Sequence, residues 1–245
     1  MVILKVSSLK KSFSGRTVVD GVSFHVRQGE IVGLLGRNGA GKTTSFRMTI
    51  GMLSPDEGEV VFEGHEVTKL PMYKRARLGM GYLSQEPSVF QRLTVEQNLL
   101  AILETRPMSR QQQKQTASEL MEQFDLTKCR KQQARTLSGG ERRKLEIARA
   151  LITEPSLVLL DEPFSGVDPV AVEELQGEIA RLRDQENIAV LITDHNVERT
   201  LEVCDRAYII HEGNVLREGP PRDLIKDETV RRVYLGETFR GDEFD

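Results

Sequence analysis

Residues 36–43 restrict the possible folds of this chain more strongly than any other segment. They read GRNGAGKT and match the pattern GxxxxGK[ST] in full. The run EIVGLLG at 30–36, directly before them, is almost continuously apolar, as in a strand buried on both faces. A helical pattern follows to about Leu53. This strand–loop–helix context distinguishes a phosphate-binding loop from a glycine-rich turn with a surface lysine. The sequence therefore predicts an α/β fold with a phosphate site.

Each residue of the loop has an expected task. Gly36, Gly39 and Gly41 allow backbone N–H groups to turn toward bound phosphates. The Lys42 ammonium reaches the β- and γ-phosphates, and the Thr43 hydroxyl is placed to bind Mg²⁺. The residues predicted to bind a nucleotide through this loop are Gly36, Arg37, Asn38, Gly39, Ala40, Gly41, Lys42, Thr43 and Thr44.

The rest of the chain alternates predicted strands and helices. Two further apolar strands, 157–161 and 188–193, flank a helix of 168–184 that starts with an Asp and a Pro. This alternation predicts a mainly parallel sheet with helices on both faces. Before residue 30, β-forming runs with turns at 14–15 and 20–21 predict short antiparallel strands, and 207–219 predicts a hairpin. The Gln-rich stretch from Thr94 to about 133 predicts an inserted helical part.

Composition excludes several classes of protein. The chain has 245 residues, a formal charge of −3 and a pI near 5.9, whereas nucleic-acid binders are usually basic. No apolar run is long enough to span a bilayer, and the N-terminus lacks the features of a signal peptide. Cys129 and Cys204 have no metal-ligand spacing, so a reducing, cytoplasmic compartment is expected.

Acidic and histidine side chains follow the apolar strands. Asp161 and Glu162 end the strand at 157–161, and His195 comes just after 188–193. Because ligands gather at the carboxyl ends of strands in an open parallel sheet, these groups are expected to meet the loop at 36–43. Asp161 is a predicted metal ligand and Glu162 a candidate general base. Solvent-exposed strand ends or a helix cap remain the simpler alternatives. His25, His65 and His211 are interpreted as surface or structural residues.

The segment TLSGGERRKLEIARAL at 136–151 poses a separate problem. A capping box accounts for Ser138 and Glu141 at a helix start. It does not account for Gly139 and Gly140, since each glycine costs roughly 1 kcal/mol against alanine within a helix. Glycines at the positive end of a helix let an anion approach closely. The chain's own phosphates are expected on Lys42, so a head-to-tail dimer would bring one copy's glycines to its partner's nucleotide.

Six motifs in order resemble those of the nucleotide-binding subunits of ABC (ATP-binding cassette) transporters. They are the phosphate loop, YLSQE around Gln85, LSGGE, LLDEP, SGVD at 165–168 and the Asp-His pair at 194–195. The resemblance implies a P-loop NTPase fold of the ABC ATPase type, with an N-terminal antiparallel β subdomain. It implies a single domain over 1–245, with a helical subdomain at about 90–150 and a short helical tail at about 220–245.

The resemblance also implies roles for individual residues. Phe13 would stack on adenine, although many members have Tyr there. Gln85 would contact Mg²⁺ and sense the γ-phosphate, Glu162 would polarise the attacking water, and His195 would bind the γ-phosphate. The remaining implied residues act between subunits: Ser138, Gly139, Gly140 and Glu141 on the partner's nucleotide, Asp168 between the two sites, and Phe90 on a membrane subunit.

The segments DEPFSGVDP, LITDHNV, ExCDRAYI and RRVYLGE resemble, more narrowly, the ATPase subunits of lipopolysaccharide exporters in Gram-negative bacteria. That implies a homodimer that hydrolyses ATP with Mg²⁺, bound peripherally to permease subunits at the cytoplasmic face of the inner membrane. Branched-chain amino acid importer ATPases share FxGxxP and are the main alternative. A soluble ABC ATPase acting on nucleic acid would carry coiled-coil heptads or two fused cassettes. A nucleotide kinase would not need LSGGE.

Overall fold

A computed structural model describes residues 1–236 of the chain. Two sheets organise it, with strand orders β2-β1-β4-β5 and β10-β9-β3-β8-β7-β6. The strands are β1 Val2–Phe13, β2 Arg16–Arg27, β3 Ile31–Gly36, β4 Glu57–Phe62, β5 His65–Glu66, β6 Met80–Leu83, β7 Leu157–Asp161, β8 Ala189–Thr193, β9 Arg206–His211 and β10 Asn214–Gly219. The helices are α1 Lys42–Ile50, α2 Met72–Arg77, α3 Val95–Leu103, α4 Arg110–Gln123, α5 Gly139–Leu151, α6 Pro169–Asp184, α7 Val197–Val203, α8 Pro221–Leu224 and α9 Glu228–Val230, with a π-helical turn at Arg231–Leu235.

The larger sheet is parallel except for its β9–β10 hairpin, and the smaller sheet is antiparallel throughout. All residues of β3, β7 and β8 are buried. Their alternate side chains enter different cores: Leu160 packs with the helices between 95 and 184, and Leu159 with α1 and the smaller sheet. The predicted α/β fold with a mainly parallel sheet is therefore confirmed.

The predicted turn at 20–21 is wrong. Strand β2 runs through these residues, and the pairing with β1 passes from Leu9↔Val22 to Lys10↔Asp20. Gly21 is the extra residue of a β-bulge, with φ 86°. A glycine at positive φ suits a bulge as well as a turn, so the sequence pattern alone favoured the wrong one. The helix expected to reach Leu53 also ends earlier, because Gly51 adopts φ 85° after Ile50.

The predicted helical part is present. Both capping boxes form: Thr94 with Gln97 at the start of α3, and Ser109 with Gln112 at the start of α4. The apolar side chains of α4 and its end pack into the core beside α3 and α5; they are Leu120, Met121 and Phe124. The division into one domain over 1–245, with a helical subdomain at about 90–150, stays a prediction.

The C-terminal segment packs against the larger sheet at β3 and β9. Leu224, Ile225 and Val230 contact a core formed with Leu35 of β3 and Leu201 of α7. The predicted helical tail at about 220–245 is thus helical through α8, α9 and the π-helical turn. Its last residues, 237–245, lie outside the described residues.

Arg75 stabilises the C-terminal end of α1, the helix that follows the phosphate loop. This guanidinium is 1% exposed and donates to the carbonyl oxygens of Met48 and Thr49 at the end of α1, at 2.9 and 2.6 Å. It also donates to Leu70 O and Thr68 O. Burial lowers the pKa of Arg75 to about 10. The side chain therefore satisfies four carbonyls and places a cation at the negative end of α1.

Arg75→Met is expected to lower the free energy of unfolding by about 3 kcal/mol, because it leaves buried carbonyls without donors. Urea denaturation measures this. Lys74→Met, at the exposed neighbouring position, is the matched control and should leave the curve unchanged. An unchanged midpoint for Arg75→Met would show that water replaces the guanidinium at no cost.

Candidate active site

Three glycines give the phosphate loop its shape. Gly36, Gly39 and Gly41 have φ values of 150°, 80° and 104°. A Cβ on Gly36 would lie 2.1 Å from the carbonyl oxygen of Ile210, and one on Gly41 would lie 2.8 Å from that of Val18. Side chains at these two positions are therefore excluded both by conformation and by space. The loop has the constraints that the motif predicted.

The β9–β10 turn holds the loop through backbone hydrogen bonds. Gly213, in this turn, donates its N–H to Ala40 O at 2.9 Å, and its own carbonyl accepts from Asp20 N–H at 2.8 Å. The bulge in β2 thus positions Gly213, and Gly213 positions the loop. Sequence reasoning missed this, because it interpreted His211 and the turn only as parts of a hairpin.

Lys42 lies under the loop that it is expected to serve. The ammonium is buried and donates to the carbonyl oxygens of Gly36 and Arg37. Burial lowers the pKa of Lys42, while the charges of Glu162 and Asp194 act in the opposite direction. The cation is thus preorganised at the loop by neutral carbonyls, so a phosphate could take over these contacts with little rearrangement.

Two open clefts adjoin the loop. One, of about 350 Å³, is lined by Val18, Asn38, Gly39, Gly41, Lys42, Thr43, Thr44 and Glu162. The other, of about 550 Å³, is lined by 16–18, 37–40 and 211–213. The first cleft thus joins the loop to the candidate base.

Phe13 lies at the end of β1, 45% exposed, with the Lys11 ammonium 5.8 Å from its ring centre. Its stacking on adenine stays a prediction.

Glu162 contacts both of the other residues predicted to be catalytic, Gln85 and His195. Its Oε2 accepts a hydrogen bond from Gln85 Nε2 at 2.8 Å and lies 3.3 Å from His195 Nδ1. The backbone of Glu162 has φ 47°, uncommon for a residue with a side chain, and its N–H donates to Thr193 O at 2.7 Å. Backbone strain of this kind is found at functional sites. The structure brings Gln85, Glu162 and His195 together, and their catalytic roles stay predictions.

Asp161 supplies the carboxylate expected at a cation. It is 4% exposed, and the Tyr82 hydroxyl lies 3.4 Å from its Oδ2. Burial raises the pKa of Asp161, and the charge of Glu162 raises it further. A nearby cation would offset both effects.

The donor set fits Mg²⁺ rather than a metal held only by protein. No three His, Cys, Asp or Glu side chains within 1–236 are arranged to hold an ion. Mg²⁺ typically takes one or two carboxylates, substrate phosphates and water. Asp161 with the oxygens of Thr43 and Gln85 matches that pattern.

Asp194, for which the Asp-His motif predicted no role of its own, is a structural part of the site. It is fully buried, and its two oxygens accept from Phe164 N–H at 3.1 Å and Asn196 N–H at 2.8 Å. Burial raises the pKa of Asp194. The carboxylate therefore joins the turn after Glu162 to the turn that carries His195. Only the fold shows this contact.

Asp194→Ala is expected to lower the free energy of unfolding by about 2 kcal/mol, because the buried N–H of Phe164 and the partly buried N–H of Asn196 lose their acceptor. Chemical denaturation checks the value. Glu173→Ala, at an exposed position on α6, is the control and should have no effect. Equal stability of the two variants would contradict the role assigned to Asp194.

The LSGGE turn starts α5 as a full capping box between Ser138 and Glu141. Gly139 is exposed and lines a small cleft with Gln85 and Glu162. Gly140 is buried, and a Cβ there would lie 2.8 Å from Ala171 Cβ on α6. Close packing inside the chain thus accounts for the second glycine, a reason that the sequence did not reveal. Binding of a partner's phosphate by this turn stays a prediction.

Helix α5 also holds the segment that carries Gln85. Arg143 donates to Ser84 O at 2.8 Å and pairs with Glu146 at 2.8 Å. Glu146 accepts from Ser88 N–H at 2.7 Å, and Arg149 lies 4.7 Å from the Phe90 ring centre. The start of α5 and the Gln85 segment are therefore mechanically connected.

Phe90 and Asp168, two of the residues predicted to act between subunits, are accessible. Phe90 is 45% exposed, and Asp168, also exposed, caps α6 through Ala171 N–H at 3.1 Å. Their intersubunit roles stay predictions.

None of the helices between residues 1 and 236 has the length and apolar character needed to cross a membrane.

A family model described as ABC transporter matches residues 19–165, more than half of the chain. This chain belongs to the ABC transporter family. An ATP-binding cassette of an ABC transporter, solved in its ADP conformation, superimposes with a TM-score of 0.86 at 29% identity, covering 97% of this chain and all of that one. The predicted ABC ATPase fold and the prediction of an ATP-hydrolysing enzyme are confirmed.

Curated relatives match over nearly the full chain. The lipopolysaccharide export system ATP-binding proteins LptB of Haemophilus influenzae and Escherichia coli K12 are each 50% identical over 241 residues, covering 98% of this chain and 100% of theirs. A probable ABC transporter ATP-binding protein of Azorhizobium caulinodans is 52% identical, covering 97% of this chain and 84% of its own length. The resemblance to the ATPase subunits of lipopolysaccharide exporters, predicted from sequence motifs, is thus confirmed over nearly the full chain.

Proposed function

We propose that this chain is the ATPase subunit of a lipopolysaccharide exporter and that two copies close on two ATP molecules. The observation that carries the proposal is the match to LptB from end to end, including the C-terminal segment beyond the catalytic motifs. The importer ATPase alternative is not favoured by the 50% identity to LptB over nearly the whole chain. With a net charge of −3, no nucleic-acid partner is proposed.

The geometry supports hydrolysis by positioning and charge stabilisation, the mode of catalysis expected for phosphoryl transfer. Lys42 and the N–H groups of the loop bind the phosphates. The Glu162 carboxylate, held by Gln85 and His195, orients the attacking water and accepts its proton. The Gln85 amide donates to Oε2 of Glu162, so it helps to hold the carboxylate in place.

Mg²⁺ is the proposed metal, bound by Thr43, Asp161 and Gln85 together with the phosphates; when bound it neutralises charge on the β- and γ-oxygens. His195, which lies beside Glu162, would bind the γ-phosphate. In the closed dimer, Ser138, Gly139, Gly140 and Glu141 of one copy face the nucleotide of the other. Asp168 connects the two sites.

The proposed partners are integral permease subunits, which would hold this chain on the cytoplasmic face of the inner membrane. The exposed Phe90 ring and the half-buried Arg149 form an aromatic and cationic surface beside the Gln85 segment. Phe90 is five positions along the chain from Gln85, so a permease contact at this surface would lie close to the nucleotide site.

The test is to purify the chain with its native membrane partners and reconstitute the complex in vesicles that contain lipopolysaccharide. ATP with Mg²⁺ should release lipopolysaccharide to an acceptor, and chelation of the metal should stop both release and hydrolysis. Glu162→Gln is the negative control. If the co-purifying subunits instead drive uptake of amino acids, the importer ATPase alternative is correct.

A further inference from the structure

The Glu141 carboxylate connects two elements that are separate in the sequence. Its Oε2 accepts from the N–H and the hydroxyl of Ser138, both at 2.8 Å. Its Oε1 accepts from the thiol of Cys129 at 2.9 Å. The capping box predicted from the sequence explains only the contacts with Ser138. The Cys129 thiol is an additional hydrogen-bond donor to the same carboxylate.

Cys129 is well placed to act as a fixed donor. It ends the 3₁₀ turn Thr127–Cys129 after α4, is 5% exposed, and its own N–H donates to Leu126 O at 3.0 Å. Burial and the neighbouring Glu141 raise the pKa of Cys129 to about 11, so the thiol is protonated at neutral pH. The hydrogen bond from Cys129 is also the main reason that the pKa of Glu141 is lowered.

Ser138 is thereby occupied within its own chain. Both of its donors, the N–H and the hydroxyl, are directed to Glu141 Oε2. A donor to a partner's γ-phosphate must keep its position while it exchanges this acceptor for another. The carboxylate that orients Ser138 is itself anchored through Oε1, so the position of the turn depends on the thiol.

We propose that Cys129 is a positioning residue for the ATPase reaction. By fixing Glu141, the thiol holds Ser138 and the LSGGE turn in the geometry that accepts the nucleotide of a second copy. The inference rests on the proposed dimer with shared sites. Cys129 belongs to the helical part and lies outside the six sequence motifs, so the proposal gives a role to a residue that the motifs do not identify.

The test compares full-length variants by ATP hydrolysis over a range of protein concentration and by binding of a fluorescent ATP analogue to the monomer. Cys129→Val removes the donor and replaces the sulfur with two methyl groups. It is expected to raise the protein concentration at half-maximal specific rate roughly tenfold, the loss expected for a hydrogen bond to a charged group. The affinity of the monomer for the analogue should not change. Cys129→Ser restores a donor and should recover wild-type behaviour.

Cys204→Ala is the control, because Cys204 is also buried but its thiol donates no hydrogen bond to a carboxylate among the described residues. Thermal unfolding of every variant reports on folding. The proposal is overturned if Cys129→Val behaves like the wild type, if Cys129→Ser is as impaired as Cys129→Val, or if Cys204→Ala shows the same loss. A wild-type rate independent of concentration in protein that is monomeric would overturn the shared-site proposal itself.

Discussion

Glu162→Gln is expected to reduce ATP turnover by about 10²- to 10⁴-fold, the usual contribution of a general base, while ATP still binds. The amide keeps the shape of the side chain but cannot accept the proton of water. Its contacts with Gln85 and His195 lie at Oε2, so the surroundings should remain assembled. ATP would then accumulate in the closed state, and a stable dimer is the expected product.

Steady-state hydrolysis, nucleotide binding and sedimentation with ATP measure these three effects. Glu173→Gln, at an exposed position on α6, is the control for loss of one negative charge and should behave like the wild type. Retained hydrolysis in Glu162→Gln would remove this residue from the role of base. Loss of ATP binding would mean instead that the substitution damaged the phosphate cleft.

Gly139→Asp is expected to bind ATP normally and to lose at least about 100-fold in hydrolysis, comparable to losing a donor to the transition state. Gly139 does not line the cleft of its own phosphate loop, so a carboxylate there should spare binding by the monomer. In the closed dimer the same carboxylate would face the partner's γ-phosphate. Repulsion between the two anions would then prevent closure.

Gly139→Ala separates charge from size. The nearest atom to a Cβ at this position is Gly166 O at 3.4 Å, so alanine fits the folded chain. The alanine variant should keep much more activity than the aspartate variant. Gly140 is a poorer probe, because a side chain there would collide with Ala171 within the same subunit. Equal activity of Gly139→Asp and the wild type would contradict the shared site.

Features carried by local pattern could be predicted from the sequence. Strands buried on both faces are continuous apolar runs, and the phosphate loop needs its glycines at defined spacing, so both were found. The capping boxes of α3, α4 and α5 were found for the same reason. In each case the residues that make the contact lie within a few positions of one another.

Features that depend on distant segments could not be predicted. Asp194 holds Phe164 across 30 residues, and Tyr82 reaches Asp161 across 79. The bulge at Gly21 is distinguished from a turn only by its pairing with β1. The reason for Gly140 is a contact with another helix. Each of these became visible only once the strands and helices were assembled.

The central claim is that one copy of the chain completes the active site of another. It is tested most directly by the specific rate of ATP hydrolysis, measured over the concentrations at which sedimentation shows monomer passing to dimer. The account predicts that the rate per subunit rises with the dimer fraction and then levels off. A rate per subunit that is the same in monomer and dimer would contradict it.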